Sequence, residues 1–111
     1  MSSYVIPRLS ALTRAEEVIN HVAANCKSFK IGKTHDLVER ISEPDYKGVY
    51  PNCDFLYKSK SKVLASYVEA LCIDACMEYL SGICDNKIDG NQSLNDEMPD
   101  SEWYTVYIVW R

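Results

Sequence analysis

No run of apolar residues in this chain approaches the roughly 18 to 20 that a membrane-spanning helix requires, which excludes a helical membrane protein. An excess of positive charge is missing as well, since twelve Lys and Arg stand against sixteen Asp and Glu for a formal net charge of −4. Phosphate neutralisation by cations supplies most non-specific nucleic-acid affinity, so the chain is no indiscriminate polyanion binder, and any nucleic-acid role must use a local basic patch. The opening MSSYVIPRLS is mixed in character and interrupted by Pro7, unlike a secretion signal. Cysteines are odd in number, at Cys26, Cys53, Cys72, Cys76 and Cys84, which favours reduced thiols and a cytoplasmic location. There is no internal repeat, and 111 residues leave no surplus for a second core. The expectation is one domain over 1–111, without a membrane.

What is present reads as alternating helices and strands. Thr13 to Glu16 has the spacing of a capping box, and Ala15, Val18, Ile19, Val22 and Ala23 repeat at helical intervals, predicting a helix over 14–25. Ser28 to Ile31 alternates polar and apolar residues before Gly32, which suits a short strand entering a sharp turn. Asp36 to Ser42 follows as a short helix stopped by Pro44, residues 44–52 read as a loop, and Cys53 to Lys58 reads as a second strand. From Lys60 to Tyr79, Leu64, Tyr67, Val68, Leu71, Cys72, Ala75 and Tyr79 set a helical period and the face expected to be buried. Residues 81–102, rich in Gly, Asn, Asp and Ser, predict a mobile loop, with an acidic run at Asp96, Glu97, Asp100 and Glu102. Aromatic and β-branched residues make Trp103 to Trp110 a strand, apolar on both faces and therefore central. The fold class is α+β, a small three-stranded, mostly antiparallel sheet flanked by helices.

Phe29-Lys30-Ile31-Gly32-Lys33-Thr34, followed by Asp36-Leu37 and Arg40, resembles the second motif of the GIY-YIG nuclease superfamily, a strand ending in I-G-K-T before a short helix with an arginine. Val68-Glu69-Ala70-Leu71-Cys72-Ile73 is similar to the family's later long helix with its metal-binding glutamate. Two features depart from the pattern. Lys30 stands where the second tyrosine is usual, as in divergent K-I-G branches, and the first-motif strand is missing from 14–26. Thr105-Val106-Tyr107-Ile108 looks like that strand moved to the C-terminus, a circular permutation.

The resemblance implies a metal-dependent endonuclease acting on DNA. Glu69 would hold Mg²⁺ or Mn²⁺, which needs only one or two protein carboxylates beside water and substrate phosphate. Arg40 would grip the phosphate with its planar fork, and Lys33 and Lys30 would add charge. Tyr107 would be the general base, its phenol lowered from about 10 by those cations and the metal, with Lys30 as a competing base if burial depresses its own pKa. His35 stands beside the cluster and is a candidate for proton transfer.

Each residue also has a plain structural reading. Helical geometry puts Asp74 and Glu78 nearer the apolar stripe than Glu69, and only the family register selects Glu69. Arg40 has Asp36 four residues back as an ion-pair partner. Tyr107 fits a core aromatic, and His35 a solvated turn residue. Cys72, Cys76 and Cys84 could chelate zinc, although the spacing is that of no ribbon or finger. The acidic run could occlude a basic site or mimic DNA phosphate. The alternative function is a catalytically inactive binding module of the same fold, acting on a protein or nucleic-acid partner. A small acidic nuclease would further gain affinity from a homodimer or a protein partner.

Overall fold

A computed structural model describes residues 12–111, so the reading of the opening segment around Pro7 lies outside the described residues. The elements are α1 (Thr13–Asn25), β1 (Phe29–Thr34), α2 (Leu37–Ile41), β2 (Asn52–Ser59), α3 (Lys62–Tyr79), α4 (Gly90–Ser93) and β3 (Tyr104–Trp110). The three strands form one antiparallel sheet in the order β1-β3-β2, with the C-terminal strand in the middle as its two apolar faces require.

Side chains alternate across the pleat, and the two faces of β3 seed two apolar clusters. Tyr104, Val106 and Ile108 join Phe29, Ile31 and Leu56 beneath α1 and α3, which contribute Ile19, Val22, Val68, Cys72, Ile73 and Cys76. Tyr107 and Val109 face the other way and pack with Tyr46, Tyr50, Leu37 and Ile41. Leu56 sits at a register shift between Phe55 and Tyr57, an extra residue that turns its side chain into the core. Along the β2 edge, Arg14 of α1 stacks 3.7 Å from the Phe55 ring centroid and bonds Asp54 at 2.9 Å.

Several expectations need correcting. The cap position of α1 is Leu12, one residue before the Thr13 expected there, and Leu12 supplies no side-chain cap. β1 runs straight through Gly32 to Thr34, because that glycine serves a close approach of side chains and not a bend. The only positive-φ glycine among the described residues is Gly48, at 88° in the 44–52 loop. On α3 the buried face is set by Ala65, Val68, Glu69, Cys72, Ile73 and Cys76, while Leu64, Tyr67, Leu71 and Tyr79 are exposed. α3 is apolar on two sides, and periodicity alone does not say which side meets the sheet.

Residues 81–102 are anchored, not loose. Phe29 N donates to the Ile83 carbonyl at 2.9 Å, and Asp85 N to the Phe29 carbonyl at 2.7 Å. The Asn86 side chain then imitates a strand at the free edge of β1, accepting from Ile31 N at 2.9 Å and donating to Ile31 O at 2.8 Å. Asp89 caps α4, and Gly90 lies so close to the Ala70 carbonyl on α3 that a Cβ would not fit. Lys62 pairs with Asp100 at 2.6 Å, and Met98 is buried. Polar composition concealed a segment held by side-chain hydrogen bonds to distant backbone, which no local pattern records.

Candidate functional site

A cleft of about 810 Å³ opens beside β1. Lys30, Lys33, Arg40, Glu69 and Tyr107 all line it, brought together from β1, α2, α3 and β3; His35 is not among the residues that line it. Residues from the anchored segment complete the wall, among them Asp85, Asn86, Lys87, Ser93, Asp96 and Glu97. Asp96 and Glu97 of the acidic run therefore border the site. Five basic side chains (Lys30, Lys33, Arg40, Lys87, Arg111) and five acidic ones (Asp45, Glu69, Asp85, Asp96, Glu97) line the cleft together.

The pleat of β1 divides the site into two groups. Lys30 and Gly32 share the face of Tyr107, whereas Lys33 shares the opposite face with Phe29 and Ile31, toward α3. On the first face, Asp36 caps α2 by accepting from Glu39 N at 3.1 Å, which fixes the helix that presents Arg40. Arg40 Nε donates to Tyr107 Oη at 3.2 Å, and Arg40 Nη1 lies 3.0 Å from Glu43 Oε1, so its acidic partner is Glu43 and not Asp36. Tyr46 Oη is 2.7 Å from Tyr107 Oη. The ammonium of Lys30 and the guanidinium of Arg40 each lie 5.4 Å from the Tyr46 ring centroid.

The hydroxyl pair has a simple proton count. Two phenols carry two O–H protons, and one of these makes the bond between them. Whichever tyrosine donates, the other proton remains for an acceptor beside Arg40. The Tyr107 phenol is pushed up, first by burial and then by Tyr46, with Arg40 opposing. The expected downward shift is therefore reversed, because removal from water outweighs one neighbouring cation. Burial thus favours the protonated phenol, which serves as a hydrogen-bond donor.

On the second face, Glu69 and Lys33 are both buried, with Lys33 Nζ 3.7 Å from Glu69 Oε1. Lys33 Nζ also donates to the Ser93 carbonyl at 2.7 Å and to Ser66 Oγ at 3.2 Å, and Ser93 Oγ donates to Glu69 Oε1. Lys33 thus serves Glu69, not the phenol. Burial raises the Glu69 carboxyl above its usual value, Ser93 and Lys33 pull it down, and Asp96 adds to the rise. Both polar contacts use Oε1, so Oε2 is the oxygen left for a ligand.

Among the described residues no three His, Cys, Asp or Glu side chains are placed to share a metal ion, so the Cys72, Cys76 and Cys84 zinc reading fails. All five cysteines are free thiols, and burial pushes Cys72 up to about 12. A single carboxylate oxygen suits a hydrated Mg²⁺ or Mn²⁺ shared with a substrate phosphate, and no more demanding ion.

Tyr46, Tyr50, Ser93 and Asn86 are the site residues that sequence reasoning missed. Tyr46 and Tyr50, spaced by four around Gly48, gave a faint signal, and they stack edge to face at 5.8 Å. The chain matches no protein-family model, no curated protein and no solved structure.

Proposed function

We propose that the cleft is a metal-dependent phosphodiester hydrolase site acting on DNA, in a permuted GIY-YIG-like arrangement. The observation that carries this reading is the convergence of Lys30, Lys33, Arg40, Glu69 and Tyr107 on one cleft. Arg40 and the spare phenolic proton of the Tyr46–Tyr107 pair hold nonbridging phosphate oxygens. Lys30, half-buried at the rim of the same face, adds positive charge where the DNA backbone enters. Glu69 would be the residue to hold Mg²⁺ or Mn²⁺, with Lys33 and Ser93 orienting its carboxylate. When bound, the cation supplies Lewis acidity toward phosphate oxygen and makes water more acidic.

The test is incubation of supercoiled plasmid with the protein in low salt and Mg²⁺ or Mn²⁺, with EDTA and Glu69→Gln as controls. Gln keeps the shape and an acceptor for Ser93 Oγ, whereas Ala would also leave a cavity; both remove the charge beside the buried Lys33, a loss of up to about 3–5 kcal/mol, so folding of the control is verified by circular dichroism. Cleavage lost in both controls supports the reading. Metal-dependent cleavage that survives Glu69→Gln overturns the role of Glu69.

A binding module is the second reading, and the balance of five acidic against five basic lining residues favours it. It predicts salt-sensitive capture of a labelled oligonucleotide or a protein ligand that weakens in Arg40→Ala, without cleavage under any metal.

A further inference from the structure

The polar groups that converge on the cleft lie below the molecular surface, since Tyr46 and Glu69 expose only 4% and 5% of their area and Tyr107 none. They also stand on both sides of β1. Arg40, Tyr46 and Tyr107 form one group, and Lys33 and Glu69 the other. Asn86 closes the β1 edge at Ile31, and Gly32 and Lys33 line the cleft beyond it. A chain that touches both groups therefore rounds the edge of a single strand, bending over a distance of about 10 Å.

The composition of the lining points the same way. Its acidic and basic side chains balance, which gives little net attraction for a duplex that carries one negative charge per about 1.7 Å. Asp45, Asp96 and Glu97 are exposed in the cleft; carboxylates repel phosphate and accept hydrogen bonds, so they suit the amino groups of bases. Val49 and Ile88 line the same cleft while 40% and 42% exposed, together with Tyr50, whose hydroxyl is held by Asp85 at 2.6 Å. Such apolar and aromatic surface suits the faces of bases, which are stacked on one another inside a duplex and free in an unpaired strand.

We propose, building on the reading of the cleft as a DNA site, that it takes unpaired, single-stranded DNA and excludes the intact duplex. Phosphates of the strand lie on Arg40 and Lys30, bases rest on Val49, Tyr50 and Ile88, and the backbone rounds the β1 edge toward Glu69. Duplex DNA, with a persistence length of about 50 nm, does not follow so sharp a path. Enzymes that work on groups hidden inside a duplex meet the same constraint by acting on single strands or on nucleotides drawn out of the stack. Negative supercoiling favours strand separation, so a supercoiled plasmid offers unpaired stretches that a relaxed circle does not.

Fluorescence anisotropy tests this with three labelled probes: a single-stranded oligodeoxynucleotide, the same strand annealed to its full complement, and a duplex with a central mismatched bubble. Binding is read with EDTA, which prevents cleavage, and again with Mg²⁺. The single strand and the bubble should bind about tenfold or more tighter than the full duplex. Val49→Ala combined with Ile88→Ala, both at exposed positions and checked for folding by circular dichroism, should weaken single-strand binding roughly fivefold and leave duplex binding unchanged. Metal-dependent cleavage should fall on circular single-stranded DNA and spare a relaxed duplex circle. A duplex bound as tightly as the single strand, or a relaxed circle cut as fast as the single-stranded one, overturns the proposal while the DNA reading stands. Equal single-strand affinity in the parent and the Val49 and Ile88 variant overturns the placing of bases on that wall. No binding to any probe in either condition overturns the DNA reading, and the proposal with it.

Discussion

Gly32 and Tyr107 stand directly opposite each other on β1 and β3, and the Tyr107 phenol occupies the space into which any Cβ on residue 32 would project. The glycine of the I-G-K-T string is thus a consequence of its cross-strand neighbour. A side chain there would displace the ring that Arg40 and Tyr46 hold at the cleft.

Gly32→Ala is expected to destabilise the protein by about 1–3 kcal/mol through overpacking, since Tyr107 is fully buried and has nowhere to retreat. Tyr107→Phe should rescue it poorly: beyond the hydroxyl, ring carbon Cε2 also lies only 2.9 Å from the added Cβ. A smaller residue, as in Tyr107→Val, should recover more of the loss. Urea unfolding of the single and double variants measures this. Gly32→Ala as stable as the parent would refute the packing argument.

The Glu69 carboxyl, raised by burial above its ordinary value near 4.5, gives a prediction of definite sign. A carboxyl that holds its proton more tightly folded than unfolded stabilises fully below the unfolded value, and this contribution is lost as pH rises through the folded value. Glu69→Gln removes that titration. As pH rises from the ordinary carboxyl value near 4.5 through the raised folded value, the parent should therefore lose stability relative to Glu69→Gln. Millimolar Mg²⁺ or Mn²⁺ should restore part of the loss in the parent alone, because a cation that binds the folded carboxylate stabilises by mass action. Denaturant melts at several pH values, with and without metal, read both effects; parallel pH profiles for the two proteins would sink the first.

How much of this was legible depended on where the information lies along the chain. The strand at Tyr104–Trp110 and the helix at Lys62–Tyr79 announce themselves by local composition and period, and the central place of the former follows from its two apolar faces. The buried side of α3 was not legible, because Leu64, Tyr67 and Leu71 offer as good a stripe as Val68, Cys72 and Cys76. Lys33, Arg40 and Tyr107 were found through a motif, but their pairings depend on the pleat, which separates Lys33 from Arg40 and Tyr107. Glu69 looked solvated by helical geometry and is buried, since its face meets Lys33 and Ser93. Ser93 and Asn86 lie in a polar stretch whose order comes from contacts across 24 and 55 residues.

Asn86 supplies the most direct test of that ordered segment. Its amide replaces a neighbouring strand for Ile31, satisfying both backbone groups at an otherwise open edge. Asn86→Ala leaves the Ile31 N–H and carbonyl without these partners, at a cost of about 1–3 kcal/mol. Amide exchange at Ile31 should then accelerate much more than at Val106 on the central strand. Asn86→Asp separates the two bonds, because a carboxylate still accepts from Ile31 N–H and donates nothing to Ile31 O. It should keep most of the Ile31 amide protection while losing part of the stability. Equal exchange at Ile31 in the parent and Asn86→Ala would mean that the segment over 81–102 is not held at this edge, and the cleft wall it forms would lose its anchor.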